Sequence, residues 1–421
     1  MEIKILGAAR EVGRSCIELC TKEFRALLDA GIKLEIAGPE YPVEISNIGL
    51  IDAVFLSHAH LDHSGALPLF FHRGLSCGVL CTAETALLTK LLLKDAHKIE
   101  VAEHHHPGYG KEDIRRVVSH IEKVRYNEKK KLKTVSYEFI DAGHIPGSSM
   151  VMLEVEGKRL LYTGDFNTVD TNLINGFKER LEADVMIIES TYGAEKHPNR
   201  DKEEEAFLNK IEEVVNAGGS VIIAAFAIGR AQEVLLMLQK RRFKVPIYMD
   251  GMAVKATDFI LAHPVLLSKP KELEKAYNRI NIVKGSRERK QVLNKQAIVI
   301  TTSGMITGGP VIEYMKHIAS RKDCALMMTG YQTIGSGGLQ ILETGFIDLD
   351  GERTKVECFY KKYVFSAHAG QQGLQWMIKT VRPKILIINH GQDYHCSALA
   401  QFANQYCKKV YVPRLGDVIT V

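Results

Sequence analysis

Four residues of metal-ligand type crowd into six positions, His58-Ala59-His60-Leu61-Asp62-His63, directly after the apolar run Ala53-Val54-Phe55-Leu56. A short buried strand must end there, and the turn after it must aim three imidazoles and a carboxylate into one small volume. Both groups are suitable zinc ligands, and two nearby ions need several of each. Single histidines in polar loops are common, but this spacing is not. The hexapeptide points to a metal-dependent hydrolase.

The chain is long for one domain: 421 residues make two the natural expectation. Hydrophobic residues at 46% and charged residues at 25% are ordinary for a globular protein with a large core. A net charge of +5 permits nucleic-acid binding without demanding it. There is no apolar run of about eighteen residues, and the start Met1-Glu2-Ile3-Lys4 has no secretory pattern, so a cytoplasmic protein without membrane contact is expected. Cysteines 16, 20, 77, 81, 324, 358, 396 and 407 include two C-x3-C pairs, but neither has the partner pair of a zinc ribbon, and buried thiols are expected.

Short β-rich runs open the chain: Ile3 to Leu6, Ser15 to Cys20, Phe24 to Asp29 and Ala53 to Leu56. A helix is predicted over Thr82 to Lys98, and a strand over Val135 to Ile140. Met150 to Val155 and Arg159 to Thr163 should form a hairpin across Glu156-Gly157, and Asp184 to Ile188 is a further strand. After about residue 195 the pattern alternates. A helix over Lys202 to Asn216, capped by Asp201, precedes the strand Val221 to Ala225 and the helix Ala231 to Arg241. Ile247 to Met249, Ala297 to Thr301 and Cys324 to Met328 read as buried parallel strands. An inserted α/β domain over 195–362 is therefore expected, interrupting a first domain made of 1–194 and 363–421. In the tail, Ile385 to Ile388 is a strand, and Lys409 to Val412 could pair with Val418 to Val421.

Asp29, His58, His144, Asp165, Glu189, His368 and His390 each stand at or just past the C-terminal end of a predicted strand. Strand ends of one sheet face one edge, where ligands gather in α/β folds. Any one of the seven alone would be a polar turn residue; seven are hard to explain that way. They supply a set for two zinc ions: His58, His60 and His144 for one, Asp62, His63 and His390 for the other, with Asp165 bridging. Asp29 is better placed to orient a ligand histidine or the loop. A zinc-bound hydroxide is a strong nucleophile at neutral pH. His368 is the candidate general acid, and Glu189 either holds it protonated or holds a ligand in place. Asp62, His368 and Glu189 are thus the catalytic candidates, Asp62 doubling as a ligand.

With these residues in view, the chain resembles the metallo-β-lactamase superfamily. His58-Ala-His-Leu-Asp-His63 with Asp29, His144 and Asp165 is similar to its four motifs. Glu189, His368 and His390 resemble motifs A, B and C of its β-CASP branch of nucleic-acid-processing enzymes. Glu189-Ser-Thr-Tyr-Gly193, Phe226-Ala-Ile-Gly-Arg-Ala-Gln-Glu233 and Thr302-Ser-Gly-Met305 are similar to family sequences too. The resemblance is strongest to the archaeal homologues of the cleavage and polyadenylation specificity factor nuclease, in a form without their RNA-binding KH extension, and next to RNase J. It implies an α/β fold: a four-layer αββα metallo-β-lactamase fold with an inserted β-CASP domain. The complete ligand set distinguishes the chain from inactive scaffold subunits, and a histidine at motif C resembles RNA-processing members. Gly370 departs from the Asp often found after the Ala369 position.

The expected substrate is single-stranded RNA threaded through a narrow cleft, cut by hydrolysis to leave a 5′-phosphate and a 3′-hydroxyl. Endonuclease and 5′-to-3′ exonuclease action both remain open. Ser303, Gly304, Tyr331, Gly335, Ser336 and Ser366 are candidate phosphate contacts, because small-residue loops after strands offer free amides. Lys129 to Lys133 reads as an exposed basic turn, and His104-His105-His106 as a polar loop. A homodimer is expected from relatives, with other RNA-processing proteins as further partners. Three rival readings are a non-catalytic RNA-binding scaffold, a small-molecule metallo-hydrolase and a DNA nuclease, the last disfavoured by His390 through the resemblance alone. The first would not need the full ligand set; the second would not need the inserted domain, His368 or His390.

Overall fold

The computed structural model describes residues 1–35, 38–102, 107–333 and 335–421; the expected polar loop His104-His105-His106 lies outside them. The chain forms two compact units. The first comprises Met1–Asp170, Asn175–Lys196 and Ala367–Val421, and the second Thr171–Ile174 and His197–Ser366. The joins fall two and four residues from the expected 194 and 362. Thr171–Ile174, expected in the first unit, belongs to the second because a buried carboxylate claims its backbone. The N–H groups of Asn172 and Leu173 donate to Glu233 at 2.9 and 2.8 Å.

Among the described residues the first unit contains two seven-stranded sheets, besides the antiparallel pair Lys33–Glu35 and Gly38–Glu40. One runs, in spatial order, Val418–Thr420, Glu2–Ile5, Ile17–Cys20, Arg25–Leu28, Ala53–Phe55, Gly78–Thr82 and Ile121–Val124. The other runs Lys409–Tyr411, Ile385–Ile388, Val185–Ile188, Lys158–Tyr162, Ser149–Val155, Val135–Asp141 and Lys130–Leu132. Strand periodicity sends alternate side chains to opposite faces. Ala53 and Phe55 enter a core shared with Val151, Leu153, Ile187 and Ile387 of the other sheet. Val54 and Leu56 instead meet Leu67, Phe71, Leu93 and Val117 on covering helices. Met186 and Ile188 likewise meet Leu374, Ile378 and Leu399. The result is helix, sheet, sheet, helix, and burial on both faces explains why these strands read as unbroken apolar runs.

The hairpin forms as expected: Val155 pairs with Lys158, and Glu156 and Gly157 between them have φ of 48° and 72°, as a two-residue turn of the favoured twist needs. The tail strands do not pair with each other. Lys409–Tyr411 runs parallel to Ile385–Ile388, and Val418–Thr420 antiparallel to Glu2–Ile5. Each fills a free sheet edge, and Ile419 reaches the core between the sheets. The Lys129 to Lys133 run is not simply a turn. Lys130–Leu132 is an edge strand, and Lys129 and Lys133 pair with Glu154 at 2.7 Å and Asp52 at 2.5 Å. All eight cysteines are free thiols.

In the second unit a parallel sheet runs Asn281–Val283, Ile247–Asp250, Ile298–Thr301, Val221–Ala224, Ala325–Met328 and Phe359–Lys362. Ile222, Val299 and Leu326 pack against Tyr314, Met315 and Ile318 of the helix Pro310–Ile318. The helix Arg200–Asn216 is capped by Asn199, whose side-chain oxygen accepts from the Lys202 N–H, rather than by Asp201. Asp201 sits in the first turn, where its charge suits the helix dipole. Among the described residues no helix is long and apolar enough to cross a membrane.

Candidate metal centre

The expected ligands converge within the first unit, but from two sheets rather than one edge. Asp29 follows Arg25–Leu28 and the hexapeptide follows Ala53–Phe55 in one sheet. His144, Asp165, Glu189 and His390 follow Val135–Asp141, Lys158–Tyr162, Val185–Ile188 and Ile385–Ile388 in the other. His368 differs, since the strand before it, Phe359–Lys362, belongs to the sheet of the second unit.

The hexapeptide is held by its own backbone. Ser15 N–H donates to Asp62 O at 2.7 Å, Ala30 N–H to His63 O at 2.8 Å, and Ile32 N–H to Leu61 O at 2.9 Å. Gly31 lies so close beneath it that a Cβ there would stand 1.7 Å from Asp62 O and 2.7 Å from His63 N.

Asp29, fully buried, organises the imidazoles. Its Oδ1 accepts the Ser57 N–H at 2.7 Å, and its Oδ2 accepts the Ser57 and Tyr162 hydroxyls at 2.7 and 2.6 Å. His63 Nδ1 lies 2.6 Å from Oδ2 and donates to it, which leaves Nε2 with a free lone pair. With its one proton spent on Asp29, the Ser57 hydroxyl accepts from His58 Nδ1 at 3.0 Å, which frees His58 Nε2 as well. His144 Nδ1 donates to Ala367 O at 2.8 Å, with the same consequence. Ser57 and Tyr162 were not anticipated; Ser57 lies beside the hexapeptide and Tyr162 just before Asp165, and only their hydroxyls gave a hint.

His58 Nε2 lies 3.1 Å and His144 Nε2 3.4 Å from His60 Nδ1. Tetrahedral zinc with Zn–N of about 2.0–2.1 Å sets its nitrogens about 3.3–3.4 Å apart, so this trio has the spacing of a zinc site. Asp62, His63, Asp165 and His390 form a second group, with all ligand atoms within 4.8 Å of one another. Asp165 Oδ2 sits 3.3 Å from His63 Nε2, 3.6 Å from His58 Nε2 and 3.9 Å from His144 Nε2, which is a bridging position. His390 turns Nδ1 to Asp165 Oδ1 at 3.2 Å and Nε2 to Asp62 Oδ2 at 3.6 Å, while Gly13 N–H donates to Nε2 at 3.4 Å. Among the described residues, buried His63 Nε2 and Asp165 Oδ1 make no hydrogen bond, although a buried polar atom normally does. A cation would satisfy both, so this donor set fits a pair of metal ions.

The electrostatics agree. Burial drives His58 and His144 well below the ordinary histidine value and His60 to about 4, leaving lone pairs for a metal. His63 is the exception: burial opposes its charge, but Asp165, Asp29 and Asp62 raise it well above the ordinary histidine value, so a cation at Nε2 would take the place of a proton. Burial also resists ionisation of Asp62 and Asp165, yet His63 and His390 hold both below the carboxylate range. His368 stands beside the centre, its Nδ1 3.1 Å from Glu189 Oε2 and 3.8 Å from Asp165 Oδ2. Burial disfavours its charge, but Glu189 and Asp165 push it up to about 9. Glu189 is fixed by the Phe166 N–H at 2.9 Å.

The candidate phosphate contacts lie in the second unit. The loops after Ile298–Thr301 and Ala325–Met328 meet, with Gln332 Nε2 donating to Gly304 O at 2.9 Å. Ser303 Oγ lies 3.3 Å from Thr307 Oγ1, and Gly335 is exposed with φ 83°. Ser336 is committed elsewhere: its buried hydroxyl caps the helix Gly337–Thr344 by accepting from the Leu339 N–H at 3.2 Å. Tyr331 and Ser366 are half-buried.

Comparison with known proteins identifies the family of the chain. Residues 19–187 match the metallo-beta-lactamase superfamily domain, 231–341 the Beta-Casp domain, and 353–413 the Zn-dependent metallo-hydrolase RNA specificity domain. The chain is 41% identical to the probable RNase MJ4 of Methanocaldococcus jannaschii, over all of both chains. It is 34% identical to RNase aCSPSF2 of Saccharolobus solfataricus, over all of this chain and 85% of that one. The transcription termination factor FttA of M. jannaschii is 33% identical over all of this chain and 72% of its own length. A crystal structure of a protein of unknown function from Enterococcus faecalis V583 shares the fold, with a TM-score of 0.61 at 12% identity over 100% of this chain and 99% of that one. The chain is a member of the β-CASP ribonuclease family of the metallo-β-lactamase superfamily.

Proposed function

We propose that this ribonuclease-family chain is a two-zinc enzyme that hydrolyses phosphodiester bonds of single-stranded RNA in RNA processing or decay. The observation that carries the reading is Asp165. Its carboxylate stands within 3.9 Å of nitrogens on His58, His63, His144, His368 and His390. His58, His60 and His144 would hold one ion and Asp62, His63 and His390 the other, with Asp165 between. Once bound, the ions supply positive charge beside the phosphate and a water acidic enough to serve as nucleophile near neutral pH.

The rest is the work of side chains. Asp29 fixes His63 directly and His58 through Ser57. Glu189 holds His368 at Nδ1 and orients its imidazole as the proposed proton donor to the departing 3′-oxygen. Protonation there yields a 3′-hydroxyl, and the oxygen from water stays on the 5′-phosphate. Ser303 and the Gly335 backbone are proposed phosphate contacts; Ser336 contributes by closing its loop. The proposal includes a homodimer, which sedimentation would test.

The test uses single-stranded RNA with a labelled 5′-monophosphate, with zinc and with a chelator. Zinc-dependent release of labelled mononucleotide means 5′ exonuclease action; labelled fragments of intermediate length mean endonuclease action. No zinc-dependent cleavage of either kind overturns the proposal.

A further inference from the structure

The segment 269–295 carries nine lysines and arginines against three glutamates, a net +6 where the whole 421-residue chain carries only +5. It folds as the helix Pro270–Tyr277, the strand Asn281–Val283 and the helix Ser286–Leu293, and that strand is the outermost of the second unit's sheet. Lys271, Lys275, Arg279, Lys284, Arg287, Lys290 and Lys295 are exposed and make no ion pair among the described residues. The one buried cation, Arg289, is spent on Asp250 and Glu313. The other basic stretch, Lys129 to Lys133, contrasts with this, since three of its four lysines, Lys129, Lys130 and Lys133, pair with Glu154, Glu128 and Asp52.

The cations are also ordered. In the helix Ser286–Leu293, Arg289 and Val292 are buried, so Arg287 and Lys290, three apart, share the outer face. Lys284 precedes that helix at the C-terminal end of the edge strand. The Ser303-Gly304 loop leaves the same edge of the sheet two strands away, about 10 Å at the usual strand spacing. In parallel α/β sheets this is the edge where ligands bind.

We propose that Lys284, Arg287 and Lys290 form a binding face for the phosphate backbone of single-stranded RNA, continuing from the Ser303-Gly304 loop to the outer edge of the sheet. This rests on RNA being the substrate, but not on the metal centre. The match to an RNA specificity domain, residues 353–413, lies elsewhere in the chain. Cations that make neither an ion pair nor a cation–π contact among the described residues imply contact with phosphates rather than bases, hence affinity without sequence preference.

The test is binding of a fluorescein-labelled oligouridylate to the full chain in chelator, titrated over a range of KCl concentrations. Each phosphate contact on a single strand contributes about −0.7 to the slope of log affinity against log salt. The Lys284→Gln, Arg287→Gln, Lys290→Gln triple variant should therefore flatten the slope by about 2. That corresponds to about 100-fold weaker binding at about 0.1 M salt, vanishing near about 1 M. With zinc present, KM for long RNA should rise while kcat on a dinucleotide stays unchanged. A Lys129→Gln, Lys130→Gln, Lys131→Gln variant should keep the wild-type slope. An unchanged slope in the first variant, an equal fall in both, or no RNA binding in chelator overturns the proposal. Loss of slope in a protein that never cleaves RNA would sustain it while overturning the two-zinc nuclease reading.

Discussion

Replacing Asp29 with Asn keeps the outline of the side chain but removes its charge and turns one acceptor into a donor. Asp29 receives one hydrogen bond at Oδ1, from Ser57 N–H, and three at Oδ2, from Ser57 Oγ, Tyr162 and His63. In the less costly orientation the Asn oxygen takes the Oδ2 side and its NH2 faces the Ser57 N–H. Leaving that buried N–H unpaired costs about 1–3 kcal/mol, and each remaining bond weakens by about 1 kcal/mol as the charge goes. The total, about 4–6 kcal/mol, rivals the whole stability of many domains. Metal binding should weaken about 10–100-fold, because His63 loses the group that orients it and sharpens its basicity. Two assays check this: urea unfolding in chelator, and zinc content after equilibration with a competing chelator. The unfolding midpoint should fall, and one ion per chain should be lost first, the one assigned to Asp62, His63, Asp165 and His390. An unchanged midpoint together with two ions retained at wild-type affinity would refute the reasoning.

Asp165→Ala and His60→Ala should each abolish cleavage while the circular dichroism spectrum is retained, and activity surviving in the Asp165 variant would sink its bridging role. His368→Ala should keep both metals by elemental analysis yet lose about 10²–10⁴ in rate; metal loss would make it a ligand instead. Gly31→Ala should displace the hexapeptide and lower zinc content, since its Cβ would overlap Asp62 O. In the second unit, burial opposes ionisation of Glu233, but Arg200 and the Asn172 donors outweigh it and hold the carboxyl below its usual range. Glu233 therefore contributes stability that is complete above the unfolded value of about 4.3 and is lost as pH falls through the folded one. In acid titrations followed by fluorescence, Glu233→Gln should be less stable than wild type at neutral pH, and the gap should close toward acid; a gap constant down to low pH would contradict this.

The candidate ligand residues could be singled out because ligation demands particular side chains, and strand ends mark themselves by apolar runs meeting polar turns. His58, His60, Asp62 and His63 needed only local spacing, and Glu156-Gly157 needed only turn chemistry. Asp201 and Asn199 are both of residue types that suit a helix cap, and only the backbone decides that Asn199 takes the position. The tail strands were paired by proximity in sequence, whereas free sheet edges far away in the chain claimed them.

The sequence by itself marked the buried strands, the inserted α/β unit and a set of metal-ligand-type residues, because periodicity and ligand type are local properties, while the αββα layering was readable only through the family resemblance. Tertiary structure alone decided what makes those ligands usable. Ser57 becomes a partner of Asp29 only when their neighbouring strands pair, Tyr162 only when two sheets close over one core, and Gly31 is constrained only by a loop packed directly on it. The bond from Ala367 O to His144, and the approach of Asp165 to histidines from four separate segments, likewise join residues that no local pattern relates. Distances of 3 to 4 Å between atoms hundreds of residues apart are set by packing, which one strand or one motif cannot encode.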